Sequence, residues 1–586
     1  MFQLSFNSVN IYYQIDTISM SGKRVLIIGG VAAGASAAAR LRRLDETAEI
    51  TIIERSNHIS YANCGLPYYV GDTIKEKSKL TLQSPQSFKS RFNIDSRVNS
   101  EALSIDSENK TVRIRDLVTG EEYDQPYDKL VLCPGAKAIV PRIDGVDDER
   151  VMTLRTVEDT LLMKEFILER KPEHAVVAGG GYIGIEIAEN LIAMGVKVTL
   201  VQRPDQILPP FDKDILSEAH AHIRQHGVDL RLSTELKGIR SGNRLTAEFA
   251  SGDSVETDML ILALGVVPDT ELAKKAGLEM GIKGSIVVNE YMETSVPDIY
   301  AAGDAVQIKH LVTGDDAHIA LAGPANRQGR IIADNICGMK RRYRGALGSS
   351  IIKIFDMTLA STGLNEKTAK AAGIRYDKVY TYSASNATYY PGANNMSVKV
   401  LFEPDTGVIL GAQIAGFNGV DKRIDVFATA VFSKLTAFDL IDLDLAYAPP
   451  FASAKDPVNM AAYVITNVIE GTVKQYFWYE LDGHISDPNV TVLDVRTDAE
   501  VASQPMKGVQ HIPLDSLRER ISEVDRSKPV YVMCFSGLRS YIGYRILAQS
   551  GYDCYNLAGG YRLYSSIMRD LDYVDCSRHP CGEKKE

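Results

Sequence analysis

The sequence predicts an α/β protein: two Rossmann-like dinucleotide-binding domains, an α+β region and a small C-terminal α/β domain. Three observations lead there. An apolar strand at 24–28 runs into Gly29-Gly30-Val31-Ala32-Ala33-Gly34 and an alanine-rich helix at 35–44. A second strand at 175–177 runs into Gly179-Gly180-Gly181-Tyr182-Ile183-Gly184 and a helix at 185–194. Far downstream, past a helix expected at 515–524, a strand at 529–533 opens into Cys534-Phe535-Ser536-Gly537-Leu538-Arg539-Ser540 and a helix at 541–550. Each is a short apolar run suited to a buried parallel strand, then a turn, then a helix whose first amides face that turn.

In the first unit, Gly29, Ala33 and Gly34 let the backbone approach a pyrophosphate. The next strand, 50–53, ends on Glu54, twenty residues after Gly34, placed to take a ribose hydroxyl, with Arg55 beside it. Val31 occupies the position of the usual middle glycine. Next comes Ser60-Tyr61-Ala62-Asn63-Cys64-Gly65-Leu66-Pro67-Tyr68-Tyr69. A protein dithiol would read Cys-x4-Cys, but Tyr69 stands where the second cysteine would be. A lone thiol here must pair with oxygen, a small-molecule sulfur or another cysteine; the plain alternative is a cysteine acting as a small hydrophobe.

The second unit satisfies the full glycine pattern through Gly179, Gly181 and Gly184. Its next strand, 198–201, ends on Gln202-Arg203 instead of an acid. That removes repulsion against a 2′-phosphate and offers it a cation, so NADPH is expected to be accepted without excluding NADH. The competing reading makes Arg203 a solvated loop charge. The run 294–304 then reads as a strand ending in the turn Gly303-Asp304, with a later helix after Gly323-Pro324-Ala325-Asn326-Arg327-Gln328 and Ala322 beside it as a cofactor contact. Asp304 is placed to accept from cofactor hydroxyls, and the helix start offers amides. Two dinucleotide sites in one chain imply a relay from nicotinamide to flavin to a further acceptor. From 343 to 455 there is no third glycine fingerprint, only strand-like alternation at 397–401 and 408–414 and a helix near 423–434.

Composition narrows the partners. Sixty-five Lys and Arg against 75 Asp and Glu give a net charge of −10, which argues against nucleic-acid or membrane-surface binding. Seven cysteines in 586 residues are too few for a disulfide scaffold, and the odd count points to free thiols in the cytoplasm. No apolar run is long enough to span a membrane. Residues 1–19 lack the cationic start and apolar core of a secretory signal and read as a tail.

With Cys-Pro-Gly at 133–135 and Leu-Gly-x-x-Pro at 264–268, these elements resemble the pyridine nucleotide-disulfide oxidoreductase superfamily. Asn386-Ala387-Thr388-Tyr389-Tyr390-Pro391-Gly392 and Ala446-Tyr447-Ala448-Pro449-Pro450, taken with the Cys64 stretch, resemble its coenzyme A-disulfide reductases. The resemblance implies FAD, NAD(P)H and coenzyme A, with Cys64 as redox nucleophile. It also implies a homodimer in which Tyr389 and Tyr447 serve the neighbouring subunit's site. Ser36, Arg40, Arg43, Ser60, Asn63 and Lys455 are its implied coenzyme A contacts. Arg40 and Arg43, three apart on one helix, share a face.

Further on, Asp494-Val495-Arg496, the Cys534-x-x-Gly-x-Arg539 loop and Leu557-Ala558-Gly559-Gly560-Tyr561 resemble a rhodanese domain. That implies a sulfur-carrying Cys534, held by loop amides and a helix dipole, with Arg539 adding a cation. Cysteine phosphatases share the geometry with a loop one residue longer.

The expected domains are a tail 1–19, an FAD domain 20–145 continued at 267–342, an NAD(P)H domain 146–266, a dimerisation domain 343–464, a linker 465–487, a rhodanese domain 488–572 and a tail 573–586. The implied substrates are small-molecule thiols, coenzyme A disulfide or persulfide and polysulfide, with release of hydrogen sulfide. The alternatives are a flavin NADH peroxidase or oxidase cycling Cys64 through a sulfenic acid, and a redox-sensing carrier without turnover. No metal is assigned, because Cys576 and Cys581 with a single histidine are too sparse a ligand set.

Overall fold

In the computed structural model, which describes residues 22–576, four five-stranded sheets organise the chain. The first is parallel, with Arg24–Ile28 at its centre between Lys129–Leu132 and Glu49–Ile53, and with Ile299–Ala301 and Asp95–Arg97 at the edges. The second is also parallel: His174–Ala178 lies between Lys197–Val201 and Met259–Leu262. Their central strands are buried on both faces, which is why they read as continuous apolar runs, Val-Leu-Ile-Ile and Ala-Val-Val-Ala, without alternation. The third sheet is antiparallel, ordered Ser350–Ile354, Met357–Gly363, Ile409–Gly416, Asn395–Phe402, Asp377–Ala384. The fourth is parallel, ordered Gln475–Tyr476, Cys554–Leu557, Val530–Met533, Thr491–Asp494, Gln510–His511.

The first expected helix begins earlier than read, as Ala32–Leu44, and the second as Tyr182–Ala193. Two readings need correcting. The single helix expected at 515–524 is two short pieces, Leu514–Leu517 and the 3-10 turn Ile521–Glu523. The carbonyls at the end of this stretch are met from outside it: the Tyr552 hydroxyl donates to Ile521 O at 2.9 Å and Gln510 Nε2 to Glu523 O at 3.0 Å. The segment read as a linker at 465–487 is structured: the helix Pro457–Ile469 runs into it, Gln475–Tyr476 forms the edge of the fourth sheet, and Leu481–Ser486 is helical. A two-residue strand carries no periodicity to read.

The helix Lys213–Gln225 joins three of these units. Against the antiparallel sheet, Asp214 in its first turn and Asp212 at its N-cap receive the fully buried Lys399 Nζ at 2.7 and 2.9 Å, and Glu366 receives the same ammonium at 2.6 Å. Three carboxylates around one cation leave no uncompensated buried positive charge. On another face, the last helix, Gly560–Cys576, packs antiparallel-sheet and nucleotide-domain residues together. Asp570 accepts from His220 Nδ1 at 2.7 Å and Arg224 Nη1 at 2.8 Å, Ser566 meets Ser217 at 3.0 Å, and Arg562 reaches Glu218 at 3.2 Å. No helix among the described residues is long and apolar enough to cross a membrane. The leader 1–19 and Cys581 lie outside the described residues, and Cys576 closes the last helix.

Candidate active site

Both glycine loops are shaped by the same local constraint. Gly29 has φ +94°, and a Cβ there would sit 2.0 Å from the Cys133 carbonyl oxygen; Gly179, at φ +115°, would meet Ala263 O at 2.2 Å. Five residues on, a Cβ at Gly34 would lie 1.9 Å from Gly29 O, and one at Gly184 1.8 Å from Gly179 O. Only glycine lets each helix settle on its own loop. A Cβ at Gly181 would meet nothing within 4 Å, so protein packing does not exclude a side chain there, consistent with Val31 in the other loop. The residue ending each following strand folds back on the loop: Gly30 N donates to Glu54 Oε2 at 2.9 Å and Gly180 N to Gln202 Oε1 at 2.8 Å.

The helices Ala32–Leu44, Tyr182–Ala193 and Ala322–Ile336 all open without a capping side chain and without an acid in the first turn. Free amides and an unopposed positive dipole end are what a pyrophosphate needs, so these cradles fit FAD and NAD(P)H. Ala33 lies under Gly329 of the third helix, where a Cβ would strike its carbonyl at 2.2 Å. Asp304 accepts from Arg155 Nη2 at 3.0 Å. Arg203 is exposed, 3.7 Å from Glu235, and Arg55 reaches Asp269 at 3.3 Å.

Cys64 stands in a 3-10 turn, Asn63–Gly65, that leads into the helix Leu66–Val70. The turn is tied to the first glycine loop by Ser60 N donating to Gly30 O at 2.8 Å, with Ser60 in the left-handed region at φ +50°. The cysteine is exposed, and its thiol is nevertheless pushed up, first by partial burial and then by Glu186 and Asp304; Arg155 opposes this. Glu186, on the helix of the second glycine loop, is itself pushed up to about 7 by burial, and the Tyr68 hydroxyl donates to it at 3.3 Å. Sequence reasoning missed Glu186, Tyr68 and Arg155. The available signal was an acid two residues past Gly184, on a helix otherwise apolar in that turn.

Of the implied coenzyme A contacts, Ser36 donates to Asn326 Oδ1 at 2.5 Å, Arg40 is held by Asp334 at 2.7 Å, and Arg43 and Lys455 are exposed. Ser60 and Asn63 are half-buried in the Cys64 turn. The hydroxyls of Tyr389 and Tyr447 lie 2.9 Å apart, and Ala387 N to Pro449 O at 3.3 Å ties their loops together. The mutual hydrogen bond raises Tyr447 above the ordinary phenol range. Among the described residues no hydrogen bond joins this pair to Cys64.

At the second thiol, Cys534 is fully buried, and its Sγ accepts from Gly537 N at 3.1 Å and from the Ser540 hydroxyl at 3.3 Å. Gly537, at φ +97°, starts the helix Leu538–Gln549. The last helix closes the loop from the other side: Tyr561 N donates to Cys534 O and Arg562 N to Phe535 O, both at 2.8 Å. Arg539 is paired with Glu500 through two short bonds, 2.6 and 2.7 Å, which hold that carboxyl down at about 2. Its charge therefore has a carboxylate partner as well as the loop to serve. The arrangement stabilises an anionic sulfur by amide, hydroxyl and helix dipole.

Residues 23–329 match the family model "Pyridine nucleotide-disulphide oxidoreductase", 349–457 match its dimerisation domain, and 478–566 match "Rhodanese-like domain". The coenzyme A disulfide reductase of Staphylococcus haemolyticus is 35% identical over 442 residues, 75% of this chain and 99% of that protein. The NADH oxidase of Methanocaldococcus jannaschii is 34% identical, over 75% and 98%. Among solved structures, the reduced CoADR-RHD of Bacillus anthracis superposes with a TM-score of 0.92 at 46% identity, covering 94% of this chain and 99% of that one. The NAD-dependent persulfide reductase of A. fulgidus superposes with a TM-score of 0.87 at 39% identity, covering 92% and 100%.

Proposed function

The chain belongs to the pyridine nucleotide-disulphide oxidoreductase family, whose members use FAD and NAD(P)H, and carries a rhodanese-like domain; from that premise we propose that it is an NAD(P)H-dependent reductase of coenzyme A disulfide, coenzyme A persulfide or polysulfide. The observation that carries the reading is the pairing of two different thiols in one chain: an accessible Cys64 with Tyr69 in place of a resolving cysteine, and a Cys534 cradled for an anionic sulfur. The dimerisation-domain match and the Tyr389–Tyr447 contact support a homodimer whose tyrosines complete the neighbour's site.

Bound FAD supplies two-electron transfer between reduced nicotinamide and a sulfur. The Gly29–Gly34 loop, Glu54 and Asp304 would hold it; the Gly179–Gly184 loop, Gln202 and Arg203 would hold the nicotinamide nucleotide. Cys64, as thiolate, attacks the sulfur–sulfur bond of the substrate and forms a mixed disulfide, expelling one thiolate. Glu186 and the tyrosine pair are the proton sources for the leaving sulfur. With coenzyme A disulfide, NAD(P)H and one proton yield two coenzyme A thiols and NAD(P)+. With coenzyme A persulfide, the same reductant and proton yield coenzyme A and hydrogen sulfide. Cys534 takes a sulfane sulfur as its own persulfide and passes it to coenzyme A.

Anaerobic NADH and NADPH consumption with each substrate tests this. Cys64→Ser is expected to abolish turnover with all of them. Cys534→Ser is expected to abolish only turnover that starts from an external sulfane donor, leaving coenzyme A disulfide reduction intact. Robust NADH oxidation by oxygen or peroxide, with none by coenzyme A disulfide or persulfide, would instead support the oxidase named among the relatives.

A further inference from the structure

The helix Lys213–Gln225 ends in two histidines one turn apart, His222 and the cap residue His226, and both face an aspartate from a different domain. Asp356 sits at the tip of the hairpin joining Ser350–Ile354 to Met357–Gly363. Its Oδ1 lies 2.8 Å from His222 Nε2 and 3.7 Å from His226 Nε2, and the three donor atoms all fall within 4.8 Å of one another.

The rings are pre-set for ligation. His226 Nδ1 donates to the His222 carbonyl at 2.9 Å, and His222 is bonded to the backbone of Ile354. A carbonyl only accepts, so a neutral His226 ring carries its proton on Nδ1 and keeps its Nε2 lone pair on the side of Asp356. His222 is 7% exposed, and its buried Nε2 has the Asp356 carboxylate at ion-pair distance, 2.8 Å, but no satisfied hydrogen bond. A lone pair facing a carboxylate is repulsive unless a proton or a cation lies between them. Phe355 stacks on His226 at 4.2 Å and Phe417 meets His222 edge-on at 5.6 Å, giving the pair a dry backing.

We propose that His222, His226 and Asp356 bind a divalent transition-metal ion of the zinc class, two imidazole nitrogens and one carboxylate oxygen leaving a fourth position to water. Ligand bonds of about 2.0–2.2 Å set tetrahedral donor separations near 3.4 Å, between the two separations observed and reached by small rotations of the exposed Asp356 and His226 side chains. Backbone carbonyls orienting the far ring nitrogens are the usual support of a histidine–metal bond. The ion fastens the end of the nucleotide-domain helix to the hairpin of the antiparallel sheet, so its role is to hold two domains in register.

The test uses full-length, FAD-loaded protein carrying Cys576→Ser and Cys581→Ser, treated with chelator and titrated with Zn2+ by calorimetry. His222 is buried and its replacement endangers folding, so the variants are His226→Ala and Asp356→Asn. One ion per chain is expected, with affinity lowered at least about tenfold in each variant, and a Zn2+-dependent rise in unfolding temperature that both variants lose. Equal uptake by the parent and by His226→Ala, or no uptake by the parent, would overturn the site and leave a His–Asp ion pair. Neither result bears on the reductase reading, because coenzyme A disulfide turnover is measured separately on the same samples.

Discussion

Glu186 shows most sharply what a single residue contributes. Its ionisation is raised from an ordinary 4.5 to about 7 by burial. Between those values the folded chain holds a proton that the unfolded chain has released, so stability is highest below 4.5 and falls as pH rises towards 7. Denaturant unfolding of the holoprotein at either end of that window is expected to show the decline, and Glu186→Gln is expected to flatten it. In turnover, the same substitution is expected to remove an inflection near neutral pH. Cys64 was legible in the sequence because its flanking residues are local and Tyr69 fixes the missing partner by count. Glu186 was not, because its meaning comes from a neighbour 118 positions away, the Tyr68 hydroxyl. Arg40 tells the same story: its place on the helix was readable, its bond to Asp334 on another helix was not.

Elements were legible wherever backbone geometry demands a particular residue in the next few positions. The two glycine loops are the clearest case, since a Cβ at Gly34 or Gly184 would collide with the loop's own carbonyl. Gly184→Ala is expected to leave protein that retains FAD but is no longer reduced by NAD(P)H. Gly34→Ala is expected to purify without flavin; absorbance of the two preparations separates the outcomes. The Cys534 loop is constrained from outside as well: a Cβ at Gly560, φ +61°, would meet Phe535 O at 2.7 Å, Cys534 O at 2.8 Å and Gly537 N at 2.8 Å. Gly560→Ala is therefore expected to displace the sulfur cradle and slow sulfur uptake by Cys534 by up to ~10²-fold. Coenzyme A disulfide reduction, which needs only Cys64, is expected to stay unchanged. Over 515–524 no such local demand exists, and the expected helix is two short pieces whose last carbonyls are met by Tyr552 and Gln510 from outside.

At the scale of the whole molecule, the sequence announces which modules are present, but their assembly rests on contacts separated by hundreds of residues. The rhodanese-like domain is seated by Asp570 between His220 and Arg224, a pairing 350 and 346 positions apart. Asp570→Ala would leave the Arg224 guanidinium and the His220 Nδ1–H without their carboxylate, a loss of about 3–5 kcal/mol. The variant is expected to expand in small-angle scattering and to lose sulfur hand-off while keeping coenzyme A disulfide turnover. The helix Gly560–Cys576 that makes this contact begins at the Cys534 loop itself, so it is a stiff strut between the sulfur donor and the nucleotide-binding half. Any displacement of this strut is thereby felt at both of its ends, at the sulfur cradle and at the nucleotide-domain helix together.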